Sequence, residues 1–155
     1  MTTSLDPLDR RLLELLQDDA SRSNQDLAAA AKVSPATALR RVRRLVEANV
    51  IERRVALLSQ ALGLTAIVEV TLDRQGAEHL QAFEARAVAD PAVQQCYRVS
   101  PGPDMVLVVW VADMPAYHAL VQRLFTQDAN VRNVKAFFST HRAKFDPRIP
   151  MTAPA

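Results

Sequence analysis

The first third of the chain repeats one pattern three times, in which a helix-capping residue precedes apolar residues at helical spacing. Asp6-Pro7 begins the first stretch, Ser23 the second and Ser34-Pro35 the third. Asp and Ser side chains accept hydrogen bonds from the free N–H groups of a first helical turn, and Pro suits the first helical position. The sequence therefore predicts three short helices joined by tight connections.

The third predicted helix has one apolar stripe and many basic residues. Ala38, Val42 and Leu45 form the stripe. At about 100° per residue, Thr37, Arg40 and Arg44 should point roughly away from it. We expect Arg41 and Arg43 to flank that outward face. The helix should end near Ala48, where Asn49 suits a left-handed cap.

After the third helix, Ile51 to Leu58 is predicted to form a short β segment, and residues 59–64 a linker. Beyond residue 64 the pattern changes from helical to mixed. Strand and helix patterns then alternate in the order β-α-β-β-α-β, which is typical of a ferredoxin-like domain. The strands and helices are expected at 65–72, 76–88, 93–99, 105–112, 114–126 and 131–140. Because Met105 to Ala112 is apolar throughout, this strand should be central in the sheet.

These patterns predict an α+β chain made of two domains. An N-terminal winged helix-turn-helix domain covers residues 1–58, and the linker covers 59–64. The ferredoxin-like βαββαβ domain covers 65–145, and residues 146–155, with three prolines, form an extended or disordered tail.

Charge adds to this picture through its distribution rather than its sum. The net charge is only +2, but six arginines cluster between residues 40 and 54, against only two glutamates. Clustered arginine on one short element is typical of phosphate binding, although a solvated helix face has the same composition.

Catalytic and metal-binding chemistry finds little support. Cys96 is the only cysteine, and the three histidines lack metal-ligand spacing. With three glycines and no phosphate-binding loop motif, neither an enzyme nor a cofactor or metal site is expected. No signal peptide or apolar run of about 20 residues is present, so we expect a cytoplasmic protein that does not enter the membrane.

Three helices of which the last is basic predict a helix-turn-helix that places this last helix in the major groove of duplex DNA. Small residues at the helix start allow close approach to base edges, and arginines contact guanine or phosphate. The two arginines of the β segment would add phosphate contacts as a wing. The predicted DNA-binding residues are Ser34, Ala36, Thr37, Arg40, Arg41, Arg43, Arg44, Arg53 and Arg54. The alternative is a three-helix bundle without a ligand.

Two segments carry a specific resemblance. Leu5-Asp6-x-Leu8-Asp9-Arg10-x-Leu12-Leu13 and Ser34-Pro35-x-Thr37-x-x-x-Arg41-Val42-Arg43-Arg44-Leu45 resemble the Lrp/AsnC, or feast/famine, family of transcriptional regulators. The similarity extends to about Lys144. It implies a DNA-binding regulator with an oligomerising, amino-acid-binding C-terminal domain, and it carries the DNA role over to Arg41 and Arg44.

The resemblance also implies an effector region, with two departures from the family pattern. The family has Gly-x-x-Asp-Tyr before a buried strand, whereas this chain has a shortened version with Gly102 and Asp104, and Met105 as the next residue. Val134 and Ala136 stand where the family often has Thr. Because these side chains cannot pair with a polar ligand, an apolar or aromatic amino acid is the expected effector. The alternative is a regulator without an amino-acid effector.

The expected partners are duplex DNA and further copies of the chain, as a homodimer and, by the resemblance, a higher oligomer such as an octamer. The alternative is a ferredoxin-like small-molecule-binding or assembly protein whose N-terminal helices only mediate association and have no role in transcription.

Overall fold

The computed structural model describes residues 4–151, apart from the side chain of Gln60. The first three residues of the predicted N-terminal domain and the last four of the predicted tail lie outside this range. The chain forms two compact units. One contains the chain up to Leu57 together with the segment from Phe145 onward, and the other contains Leu58–Lys144.

Three capped helices make up most of the N-terminal unit: α1 (Pro7–Asp18), α2 (Asn24–Ala31) and α3 (Pro35–Glu47). Asp6 and Ser23 each form a reciprocal capping box with the acidic residue three positions later. Ser34 caps α3, as predicted, and its Oγ accepts a hydrogen bond from the Thr37 N–H at 3.2 Å. These contacts satisfy N–H groups that have no partner within a helix.

Leucine and alanine side chains from the three helices form the small core of this unit, in which the largest fully buried aliphatic residues are Leu12, Leu27 and Leu45. The left-handed backbone of Asn49, with φ of 54°, ends the turn after α3 and confirms the predicted cap. Lys32 has a similar backbone, with φ of 57°, at the end of α2.

The predicted β segment is absent. Residues 52–58 have no regular secondary structure, and their side chains are exposed. A strand needs a neighbour to pair its N–H and C=O groups. The described part of the N-terminal unit contains no strand to supply one, so the segment is extended and forms no strand.

The final described residues run along α1. Gln17 forms two hydrogen bonds with the backbone of Ile149, donating through Nε2 at 2.9 Å and accepting through Oε1 at 2.6 Å. Arg148 pairs with Asp18 and Asp146. This segment was predicted to be extended or disordered, and its described part is extended with specific contacts.

The C-terminal unit is an antiparallel sheet with strand order β2-β3-β1-β4. Its strands are β1 (Leu64–Leu72), β2 (Val93–Arg98), β3 (Met105–Val111) and β4 (Val131–Phe138). The helices are α4 (Ala77–Ala89) and α5 (Met114–Val121), and α5 continues as a π turn over Gln122–Thr126. This is the predicted βαββαβ order, and β3 is central as expected.

One face of the sheet packs on α4 and α5, and no helix within residues 58–144 packs on the other. The helix-side core contains Phe83, Leu120 and alternate residues of the two central strands. On the other face, which we call the open face, the apolar side chains are Ile67, Tyr97, Val106, Val108, Trp110 and Phe137. Three of them, Ile67, Tyr97 and Phe137, are about half exposed.

Candidate nucleic-acid interface

The outward face of α3 presents cations next to small side chains. Its buried stripe is Ala38, Val42 and Leu45, as predicted. On the opposite side, a shallow depression is lined by Ala36, Leu39, Arg40, Arg43, Arg44 and Glu47. We call this surface the α3 outward face.

Arg40 and Arg43 are both exposed on the α3 outward face. Among residues 4–151, no carboxylate lies within ion-pair distance of either guanidinium group. Each retains all five N–H donors, in the fork that matches a phosphate or the edge of guanine. Ser34 and Ala36 are exposed beside them at the start of α3, whereas Thr37 is half-buried.

Arg41 has a different orientation from the one predicted. Its Nη1 donates to Asp6 Oδ2 at 2.5 Å and to Asp9 Oδ1 at 3.2 Å, and its side chain is only 22% exposed. Asp9 is fully buried. Arg41 therefore joins α1 to α3 beside the buried stripe. The sequence-based expectation that it flanks the outward face is wrong.

Arg44 is both paired with a carboxylate and partly exposed. Its Nη2 pairs with Asp9 Oδ2, yet its side chain remains 48% exposed and lines the outward face. The backbone N–H of Asp9, followed by Arg41, lowers the pKa of Asp6, and the Asp6 carboxylate raises the pKa of Arg41. Asp6 and Arg41 therefore remain charged near neutral pH.

The pairing of Asp9 with arginine was not predicted from the sequence. Asp9 lies in the first turn of α1, where acidic residues are favourable. The available signal was that Asp9 sits within an apolar face, next to Leu8, Leu12 and Leu13. A carboxylate in such a place needs a cation from elsewhere in the chain.

Arg53 and Arg54 are exposed in the extended segment after α3. Both remain available for contact with phosphate, but no strand holds them in place. Their predicted position on a β wing is therefore corrected to a position on an irregular segment.

The predicted effector residues begin with a strained turn between β2 and β3. Gly102 has φ of 120°, a conformation that side chains rarely tolerate. Asp104 Oδ2 accepts hydrogen bonds from the Leu72 backbone N–H at 2.7 Å and from Gln75 Nε2 at 3.3 Å. Asp104 thus fastens the turn to the end of β1.

The other three predicted effector residues face the helix side of the sheet. Met105 is completely buried in the core with Leu107 and Phe83. Val134 and Ala136 are half-buried and pack against that same core. This placement argues against direct contact of Met105 with a ligand, because its side chain has no accessible surface.

A helix-turn-helix with a free basic face, followed by a ferredoxin-like sheet, defines a DNA-binding regulator with a separate second domain. Residues 5–52 match the winged helix-turn-helix DNA-binding family, and residues 65–149 match the Lrp/AsnC ligand-binding domain. The chain therefore belongs to the Lrp/AsnC family of transcriptional regulators, whose members are not enzymes.

Individual relatives agree with this assignment over nearly the whole chain. The leucine-responsive regulatory protein of Rhizobium meliloti is 35% identical, over 90% of this chain and 92% of its own. An AsnC family transcriptional regulator from Agrobacterium tumefaciens has a TM-score of 0.85 at 31% identity, covering 95% and 97% of the two chains. A regulator from Neisseria meningitidis, solved as its L-Met complex, also has a TM-score of 0.85, at 26% identity, covering 96% and 97%.

Two further observations concern residues 4–151. No group of three or more His, Cys, Asp or Glu side chains is arranged to hold a metal ion. No helix in this part of the chain is long and apolar enough to cross a membrane.

Proposed function

We propose that this regulator contacts operator DNA through the α3 outward face, with Arg40 and Arg43 as its principal cations. The observation that carries the proposal is that both guanidinium groups are exposed and have no carboxylate partner among the described residues. Ser34 and Ala36 allow close approach at the helix start, with Thr37 at the edge of this contact. Arg44 contributes with its exposed half, and Arg53 and Arg54 contact flanking phosphates.

Arg41 takes a supporting part in this proposal. Because it binds Asp6 and Asp9, it fixes α3 against α1 and so holds the α3 outward face in position. A substitution of Arg41 is expected to weaken DNA binding through loss of folded structure rather than through loss of a direct contact.

We propose that two chains form a dimer through the open face of the sheet. This face carries a contiguous apolar patch, rather than single exposed apolar residues. The patch contains exposed Ile67, Tyr97 and Phe137, with half-buried Val108 and Trp110 between them. A twofold dimer presents two α3 helices, which would bind half-sites about 34 Å apart or a multiple of that. Higher assembly, such as an octamer, is expected from the resemblance to the family.

The dimer has a direct test. Ile67→Lys places a charge in the middle of the open face and should give monomers at micromolar concentration in light scattering. Val88→Lys, at an exposed apolar position on α4, is the matched control and should leave the assembly unchanged. A wild-type chain that is itself monomeric would overturn the proposed dimer.

The proposed effector is an apolar or aromatic amino acid bound near the turn at 100–104. The Rhizobium relative is a leucine-responsive regulator, and the Neisseria neighbour was solved with L-Met, so both support an apolar amino acid. Asp104 Oδ1 still has room to accept a hydrogen bond from an ammonium group. Because Met105 is in the core, we expect it to support the effector region by packing and not to contact the ligand.

The DNA proposal is tested by selecting bound genomic fragments, footprinting them and measuring affinity against salt. Each phosphate contact contributes about −0.9 to the log–log slope. A dimer in which Arg40, Arg43 and their neighbours neutralise several phosphates should therefore give a slope of roughly −5 or steeper. Arg40→Ala and Arg43→Ala should each flatten the slope by about 2, because a dimer loses two contacts.

Arg74→Ala, an exposed arginine in the C-terminal unit, is the matched control and should leave the slope unchanged. Unaltered slopes and footprints for both α3 variants would contradict the proposed contact face.

For the effector, calorimetric titration of the twenty amino acids should give binding of leucine, methionine or phenylalanine. Binding of a strongly polar amino acid alone would contradict the proposed class.

A further inference from the structure

A pocket of about 440 Å³ lies where the chain enters and leaves the C-terminal unit. One wall comes from the turn at 59–63 and the start of β1, and the other from the segment that follows β4. We call it the junction pocket, and its lining residues are Ser59, Ala61, Gly63, Thr65, Ser139, Thr140, His141 and Arg142.

Backbone contacts hold the two walls together. The Ser139 N–H donates to the Thr65 carbonyl oxygen at 2.9 Å, which extends the pairing of β1 with β4 by one step. Ser59 Oγ accepts a hydrogen bond from the Ala61 N–H at 3.2 Å and shapes the turn. Gly63 packs so closely on Trp110 and the Val111 carbonyl that a side chain would not fit. The pocket is thus built on tightly packed backbone at its base.

The lining of the junction pocket has the chemistry of an oxyanion site. It contains four hydroxyl groups, one imidazole and one guanidinium group, and none of its residues carries a carboxylate. Hydroxyl and guanidinium groups donate hydrogen bonds, and those to an anionic acceptor are roughly twice as strong as neutral ones.

One of these hydroxyl groups is unsatisfied. Thr65 Oγ1 is buried and has no hydrogen-bond partner among the described residues. Buried polar atoms are normally paired, and an unpaired one calls for a missing partner or ligand. Rotation of the Thr65 side chain would bring this hydroxyl to the pocket surface, where a small oxyanion would accept its hydrogen bond.

We propose that the junction pocket binds a small oxyanion, either a phosphate or a carboxylate, at a site separate from the effector region. Thr65 lies at the start of β1 and Leu72, which contacts Asp104, at its end. Seven residues of strand separate the two sites by roughly 23 Å, which is too far for one small ligand to reach both.

Because of the position of the site, a bound anion would affect the two connections between the units. Residues 58–63 continue from Leu57, and residues 139–144 lead to Phe145, so both connections to the N-terminal unit leave from the walls of the pocket. An anion that hydrogen-bonds to both walls restrains both connections at once.

The test is a titration of the full-length, isotope-labelled chain with inorganic phosphate at constant ionic strength, with chloride as the blank. Saturable amide shifts at 59–65 and 139–142, with a Kd of ~1 mM or tighter, are the expected result. Acetate forms a second arm, so that a carboxylate site is distinguished from a phosphate site. Leucine forms a third arm and should shift the 100–104 turn instead.

Thr65→Val and Arg142→Gln should each weaken phosphate or acetate binding at least tenfold. Thr65→Val keeps the shape of the side chain and removes only an unpaired hydroxyl, so its fold should be intact. Arg74→Gln, at an exposed arginine outside the pocket lining, is the control and should bind the anion as the wild type does. No saturable response to either anion, shifts confined to the arginines of α3, or wild-type affinity in both pocket variants would overturn the proposal.

Discussion

Replacing Asp9 with alanine should strongly destabilise the N-terminal unit. Its carboxylate is the one fully buried charged side chain among residues 4–151. It accepts hydrogen bonds from the Asp6 backbone N–H at 3.1 Å, from Arg41 at 3.2 Å and from Arg44. Asp9→Ala removes all three at once and leaves two cations without their shared partner.

The size of the effect follows from the exposure of the two arginines. Breaking a fully buried ion pair costs about 3–5 kcal/mol, because the remaining charge loses its partner without regaining water. Here the Arg44 side chain is 48% exposed, so water can partly solvate it, and Arg41, 22% exposed, keeps its hydrogen bond to Asp6. We therefore expect the free energy of unfolding to fall by about 2–4 kcal/mol.

Urea unfolding followed by far-UV circular dichroism measures this loss. Glu14→Ala is the matched control on the same helix, because Glu14 forms only a solvent-exposed pair with Arg11 at 3.5 Å. That pair should contribute no more than about 1 kcal/mol. Because Arg41 on α3 belongs to the same cluster, Arg41→Ala should lower the urea midpoint, whereas Arg40→Ala should not. Equal midpoints for Asp9→Ala and Glu14→Ala would refute the buried-cluster explanation.

Three other perturbations test the fold. Gly63→Ala should destabilise the C-terminal unit by about 1–3 kcal/mol or more in thermal unfolding, since its Cβ would lie 2.4 Å from the Val111 carbonyl oxygen. Gly76→Ala, whose nearest contact would be 3.6 Å, should be close to neutral, and a similar loss for both would count against steric exclusion. Arg123 lowers the pKa of Asp90 below its ordinary value of 3.8. The stability from this pair is therefore present above that value and lost as the pH falls through the lower folded-state pKa, so Asp90→Asn should reduce the acid sensitivity of unfolding between roughly pH 5 and 2. An identical pH profile for Asp90→Asn would contradict this assignment. Arg148→Ala should lower the midpoint only slightly, because its pairs with Asp18 and Asp146 are exposed, and a large loss would mean that the segment packs more tightly on α1 than its contacts indicate.

Local chemistry explains why the helices of the N-terminal unit were predictable. Each cap joins residues three positions apart, as between Ser34 and Thr37, so a short window of sequence contains both partners. The left-handed Asn49 is likewise a property of one residue type after a helix. The order of strands and helices followed from hydrophobic periodicity, which is also local.

The orientation of Arg41 was decided only by tertiary structure. Its partner Asp9 lies 32 residues earlier in the chain. The helical periodicity of α3 alone does not show that α1 places a carboxylate beside Arg41. The absence of a strand at residues 52–58 has a similar cause. A strand forms only with a partner to pair its backbone, and the propensity of residues 51–58 says nothing about whether one is present.

The direction of Met105 shows the same limit within the sheet. Residues 105–111 are apolar on both faces, so the alternation that normally tells inside from outside is missing from the sequence. Only the pairing of β3 with β1, and the helices on one side, turn Met105 into the core and Val106 towards the open face. The sequence alone thus determined which elements form and where they begin, because those depend on neighbouring residues. Which charges pair, which strand face is covered and which hydroxyl is left unsatisfied depend on residues far apart in the chain, and only the folded structure brings them together.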